Sequence, residues 1–187
     1  MAQGNLEYMI SYRDIKYPRV ELTTGELLLI LPSGYKHDII LEKHKDWIQK
    51  KKNFIKECLE DASGKRLIYR IDKEFKHIIH SSIKMASKEL DVKVRDVFFR
   101  RMKTKWASLS LKKNLTLNTL MKYLPAYLIE YVIFHEMAHI IERRHNDRFW
   151  KIVLKKYKNC REMEREMFVY WFIINKNIVA PLAAVSL

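Results

Sequence analysis

Between Tyr8 and Leu31 the chain reads "YMISYRDIKYPRVELTTGELLLIL", a run of β-favouring residues interrupted at "YPR" and "TTGE". Proline and glycine at the interruptions divide it into two or three short strands. The apolar run closes at Pro32, and Asp38 is placed to cap a helix beginning at Ile39. From there Ile40, Leu41, His44, Trp47, Ile48, Phe54, Ile55 and Leu59 recur at roughly helical spacing, with lysines on the other face. The lysine run "QKKKNFIK" reads as a solvated helix face, and "DASGKR" as a linker. A second helical stripe follows in Phe75, Ile78, Ile79, Ile83, Met85 and Leu90. It carries His77 and His80, which read as surface or core-edge histidines.

The pattern then changes period. "VKVRDVFFRRMKTKWASLSLKKNLTLNTLM" is rich in Val, Phe, Thr and Leu and alternates in "ASLSLKKNLTLN", which predicts a strand followed by a β-hairpin turning at "KKN". "YLPAYLIEYVIFHEMAHIIERRH" returns to helical spacing, with Pro125 at the first helical position and an apolar surface broad enough for a buried helix. Beyond "RRHN", one or two further helices are expected, capped by Asn146 or Asp147. The apolar run "MFVYWFII" is too short to span a bilayer and reads as a core helix. Strands in two places with helices after each predict an α+β fold whose N-terminal portion is β-rich.

Composition narrows the function classes. With 187 residues, 48% of them hydrophobic and only 4 glycines, the chain suits one folded domain and neither a disordered nor a fibrous protein. Cys58 and Cys160 stand far apart, with no CxxC pair, which excludes a cysteine-based metal or redox motif and favours a reducing cytoplasm. The N-terminus shows no basic-then-apolar secretory pattern, so a soluble cytoplasmic protein without membrane attachment is expected. The net charge of +14 favours phosphate backbones, anionic surfaces or acidic proteins as neighbours without naming one. Oligomeric state is left open.

Candidate chemistry lies in "VIFHEMAHIIERRHNDRFW". Two histidines four positions apart on a helix lie on one face, so His135 and His139 can reach one metal ion, while Glu136 is placed to act on water as a general base. Ionisable groups are costly in an apolar helix unless paired or metal-bound, which favours this reading over one of solvent-facing histidines. A catalytic zinc needs a third protein ligand and an open position. His145 is favoured. In a continuous helix it would sit about 120° off the face of His139, so the helix must end between them. The rivals are Glu162 and Glu166 in "REMEREM".

Residues 103 to 153 resemble the YgjP-like metallopeptidase domain, related to the SprT, Spartan and WLM zinc peptidases. The likeness rests on a tryptophan-bearing strand and hairpin before an HExxH helix, then a histidine after five intervening residues and a Phe-Trp pair. Trp106, Asn114, Leu117, Asn118, Pro125, His135, Glu136, His139, His145, Phe149 and Trp150 carry it. "VELTTGELLLILPSGYKHDIILEKHKDWI" is similar, more loosely, to the family's opening. The resemblance implies Zn2+ as cofactor, His135, His139 and His145 as ligands, Glu136 as catalytic base, and peptides or proteins as substrates. It also implies a zincin-like core over 66–187, joined to the β-rich portion and helix of 1–65 in one domain. One departure is Trp106-Ala107-Ser108-Leu109, where the family usually reads Trp-Gly-Ser-Cys.

Two readings compete with a plain zinc peptidase. Arg100, Arg101, Lys103, Lys105, Lys112 and Lys113 surround the hairpin, and a cluster of them would suit non-specific DNA or RNA binding, as the Spartan relatives suggest for a peptidase acting near nucleic acid. A nucleic-acid-binding module with a structural zinc and no peptidase activity would need a fourth protein ligand, for which His77 or His80 is available. For a peptidase, Tyr157 or Tyr170 is a candidate second oxyanion donor.

Overall fold

The computed structural model describes residues 8–23 and 26–179. Residues 1–7, where no secretory signal is read, and Thr24 and Gly25, within the expected turn signal "TTGE", lie outside the described residues. The chain forms two compact units, residues 1–64 and 65–187.

In the first unit, β1 (Tyr8–Tyr12), β2 (Arg19–Thr23) and β3 (Glu26–Leu31) form a sheet in the order β1-β3-β2. β1 runs parallel to the central strand and β2 antiparallel to it. Leu29 and Leu31 are buried with Ile40 and Ile48 in a small core. After Pro32 the chain turns at Gly34, whose φ of 78° is open to glycine without a Cβ penalty, and the Tyr35 N–H donates to the Pro32 carbonyl.

The single helix expected from Ile39 is instead two, α1 (His37–Lys43) and α2 (Lys45–Ala62). Lys36 holds the N-cap position, and Asp38 lies in the first turn, where its charge complements the helix dipole without capping. At His44 the backbone leaves helical geometry (φ −113°, ψ 13°), although the His44 N–H still donates to the Ile40 carbonyl and the Ile48 N–H to the His44 carbonyl. The buried stripe nonetheless runs through Ile40 and Ile48 on either side of the break, and of the stripe's expected members Trp47 and Leu59 stand out as 42% and 47% exposed.

The second unit opens with α3 (Asp72–Leu90), ended by Asp91 in the left-handed region at φ 51°. A sheet follows of β4 (Val97–Arg100), β5 (Ala107–Leu109) and β6 (Leu115–Asn118), in the order β4-β6-β5, with β4 parallel and β5 antiparallel to β6. Asn118, fully buried, clamps the β4–β5 loop: its amide nitrogen donates to the carbonyls of Met102 and Lys105, at 2.8 Å each. Its amide oxygen accepts from the Leu120 N–H and so caps a 3-10 turn, Thr119–Tyr123.

α4 (Ala126–Ala138) follows, with Pro125 at the N-cap, one position before the first helical residue. Leu128, Ile129, Ile133 and Met137 are fully buried, as the broad apolar surface of this helix requires. It packs against α3, β5, α5 (Asp147–Lys156) and α6 (Cys160–Ile174). "MFVYWFII" forms the largely buried end of α6. Among the described residues no helix is long and apolar enough to cross a membrane.

Candidate metal centre

Helix α4 ends where the spacing of the histidines requires. Ala138 is its last residue and His139 its C-cap, and non-helical backbone then leads to α5. Asn146 restarts the helix, its side-chain oxygen accepting the Phe149 N–H at 3.1 Å. This reversal returns His145 to the helix face that bears His135 and His139. One imidazole nitrogen from each of the three lies within 4.8 Å of the others, and the Nε2 atoms of His135 and His145 are 3.0 Å apart.

Phe149 is the floor of the cluster. Fully buried, it stacks on His139 (centroids 4.4 Å, 19° between planes) and meets His135 and His145 edge-on at 4.9 and 4.7 Å. Trp150 flanks His145 at 5.7 Å. His139 Nδ1 lies 3.0 Å from the carbonyl oxygen of Glu142; a carbonyl only accepts, so Nδ1 carries the proton and Nε2 keeps its lone pair. Burial, then the neighbouring His139 and His145, push His135 down to about 3. Burial also lowers His139. Three converging imidazoles, two of them held neutral, fit a divalent metal of intermediate softness, and one ring already has the hydrogen-bonded partner that orients a ligand.

Glu136, next to His135 in α4, meets β5. The backbone pairings explain how that strand meets it. The Asn118 N–H donates to the Trp106 carbonyl and the Ser110 N–H to the Asn114 carbonyl, so alternate residues of β5 spend their backbone groups on β6. Ala107 and Leu109 turn theirs to the free edge, and the Leu109 N–H donates to the Glu136 carboxylate. Burial pushes Glu136 up to about 7, against the opposing pull of the Lys105 charge and that N–H. A carboxylate poised near neutrality beside three imidazoles is equipped to take and return a proton.

A cleft of about 210 Å³ opens beside His139, walled by the hairpin over residues 109–111 with Lys113 on one side and by His139 and Arg143 on the other. The two departures from the family pattern lie on this strand. The Ala107 side chain is buried against the sheet, whereas Leu109 lines the cleft.

The other candidates are placed elsewhere. The exposed His80 donates from Nδ1 to the Lys76 carbonyl at 2.7 Å, His77 is also exposed on α3, and neither joins the cluster. Glu166 pairs with Lys65, and Glu162 is exposed in the first turn of α6. Tyr157 packs edge-on against Tyr131 and Phe134, and Tyr170 is buried, its phenol acted on by Lys65 and Glu166.

The six cations proposed for nucleic acid are all exposed but do not form one patch. The Arg95 N–H donates to the Lys113 carbonyl, which puts Lys112 and Lys113 at the start of β4. Arg100 pairs with Asn118 at its far end, where Asn118 also holds the Lys105 carbonyl. Lys112 and Lys113 are therefore separated from Arg100, Arg101, Lys103 and Lys105 by the length of the sheet, roughly 15 Å at the rise of a strand. Neither Leu109 as the partner of Glu136 nor Arg143 as a cleft residue carries a signal in the sequence pattern, and Phe149 stands out there only through the family likeness.

No curated protein matches the chain. Two solved structures are similar over about half of it. The metallopeptidase zymogen jannalysin of Methanocaldococcus jannaschii is 25% identical, with 48% of this chain and 93% of that one covered and a TM-score of 0.45. The metallopeptidase zymogen abylysin of Pyrococcus abyssi is 25% identical, covering 53% and 94%, with a TM-score of 0.44. The model of the YgjP-like, metallopeptidase domain matches residues 10–168, most of the chain and parts of both compact units. The chain belongs to the YgjP-like metallopeptidase family and is a metal-dependent hydrolase of peptide bonds.

Proposed function

We propose that His135, His139 and His145 hold one zinc ion and that Glu136 is the general base of peptide-bond hydrolysis. The carrying observation is the convergence of three imidazoles, drawn from a helix end and the turn after it, beside a carboxylate held under an edge strand. Three histidine nitrogens with a fourth position left to solvent is the donor set of a catalytic zinc. When bound, zinc lowers the pKa of a water towards neutrality and polarises the scissile carbonyl.

The chain's own residues supply the rest. Glu136, oriented by the Leu109 N–H, takes the proton of the attacking water and passes it to the leaving amine. The free edge of β5 offers the backbone groups of Ala107 and the Leu109 carbonyl to an extended substrate, which would lie along it as an added strand. The family match covers most of both compact units, so we read 1–65 and 66–187 as parts of a single domain with a zincin-like core. The buried thiols of Cys58 and Cys160 suit a cytoplasmic setting.

Metal stoichiometry tests the ligand set. One zinc per chain is expected in the wild type and in His77→Ala, and loss of tight binding in His145→Ala; tight zinc in His145→Ala would move the third ligand elsewhere. Association with DNA or RNA is a second reading, favoured by the net charge of +14 and the exposed Arg100, Arg101, Lys103 and Lys105 at one end of the sheet. It requires binding that weakens steeply with salt.

A further inference from the structure

The cleft beside His139 carries charge of one sign. Lys113 and Arg143 face it from opposite walls, and no carboxylate lines it. Glu142, the acid nearest in sequence, directs its carboxylate to the Arg144 N–H at 3.2 Å and to the Asn146 side chain. Among the described residues no carboxylate lies within ion-pair distance of Lys113, Arg143 or Lys105.

Backbone geometry holds this charge in place. Lys113 has a φ of 60° in the hairpin turn, where its N–H donates to the Ser110 carbonyl and its carbonyl accepts the Arg95 N–H. Arg143 follows the end of α4 by a few residues, in the same turn whose Glu142 carbonyl holds the His139 ring. A chain lying along β5 therefore passes Lys105 towards one end of the strand and Lys113 with Arg143 towards the other, with Glu136 between.

We propose that this cleft selects acidic peptides, holding aspartate or glutamate side chains near the scissile bond between Lys113 and Arg143. The inference rests on the reading of the three histidines and Glu136 as the reaction centre. A peptide is favoured over a nucleic acid because the cations flank an edge strand and a small cleft that contains a candidate ligand. A polyanionic backbone would instead be tracked by a continuous basic groove, and the basic residues here are divided between the two ends of the sheet.

Binding and cleavage test it together. Zinc-loaded Glu136→Gln protein is titrated with fluorescein-labelled peptides of about ten residues, identical except for glutamates, glutamines or lysines at the same positions. At low salt the glutamate peptide is expected to bind roughly fivefold to tenfold more tightly than the glutamine peptide, the sum of a few exposed charge contacts. The preference should vanish in Lys113→Gln/Arg143→Gln and invert in Lys113→Glu/Arg143→Glu. Equal affinities, or a preference indifferent to both double variants, overturn the proposal. So does an oligothymidylate that displaces the glutamate peptide and itself depends on Lys113 and Arg143, since the cations would then serve phosphate. Charge-dependent binding without cleavage by the zinc-loaded wild type supports the selectivity and overturns only the assignment of the reaction centre.

Discussion

The chain builds one three-stranded arrangement twice. In both sheets the last strand in sequence is central, the first runs parallel to it and the second antiparallel. What differs is the packing behind each. The sheet of residues 8–31 shares a core of Leu29, Leu31, Ile40 and Ile48. The sheet of residues 97–118 contributes Leu115 and Leu117 to a far larger core, penetrated by a mostly apolar helix that bears His135 and Glu136 and is capped by His139. Strand order alone therefore makes no site. The second sheet gains a candidate site because its free edge meets a partly buried carboxylate, and because the end of the same helix releases enough chain to bring a third imidazole back.

The most severe way to break this contrast is at Glu136. Glu136→Gln keeps the size and the Leu109 contact but cannot take a proton, so kcat should fall by about 10²–10⁴ with zinc content unchanged. Peptidase assay alongside metal analysis reads both, and full activity in this variant would discard the proposed base. Phe149→Ala comes next. Its ring touches all three imidazoles, and its loss should cost roughly 3–5 kcal/mol of stability and weaken zinc affinity about 10- to 100-fold. Denaturant unfolding with competitive chelation would show whether the two losses come together.

A matched pair sharpens the comparison of the sheets. Leu29 and Leu117 both lie fully buried on central strands, the one paired with Ile10 and Val20, the other with Phe99 and Ala107. Leu117→Ala should cost about 3–5 kcal/mol and impair zinc binding. Leu29→Ala, in the smaller core, should cost about 2–3 kcal/mol and leave zinc binding intact. If Leu29→Ala disturbed the metal as much, the two sheets would not be independent in the way their separate cores imply.

The elements of the site were legible wherever a periodicity or a cap carried them. The i, i+4 histidines fixed a common face, the +6 step to His145 demanded a helix end, and Asn146 or Asp147 marked the restart, of which Asn146 is the cap. The role of Leu109 was hidden because the direction of a backbone N–H depends on strand register, which the sequence states only as alternation. The same register separates Lys112 and Lys113 from Arg100, although they are near neighbours along the chain. The break at His44 has no proline or glycine to announce it, so one helix was expected where α1 and α2 stand.

The smallest expected effect distinguishes the two sides of α4 by their protons, and it is measured on metal-free protein. His135 titrates at about 3 when folded against an ordinary 6.5, so between these values the unfolded chain binds the extra proton and stability falls with falling pH; His139, also lowered, adds to this. Glu136 has the opposite sign. At about 7 when folded against 4.5, it binds its proton first in the folded state, so stability rises as pH falls through that window and is lost as pH rises through 7. From about 6.5 to 4.5 the two oppose each other; below 4.5 only the histidine contribution still changes. Glu136→Gln removes the compensation. Its stability should decline more steeply than that of the wild type between 6.5 and 4.5, by less than the ~1.4 kcal/mol per pH unit of one full proton because both groups keep some solvent contact. Urea unfolding at a series of pH values checks this, and parallel curves for the two proteins would mean that Glu136 is not held in its protonated form by burial beneath β5.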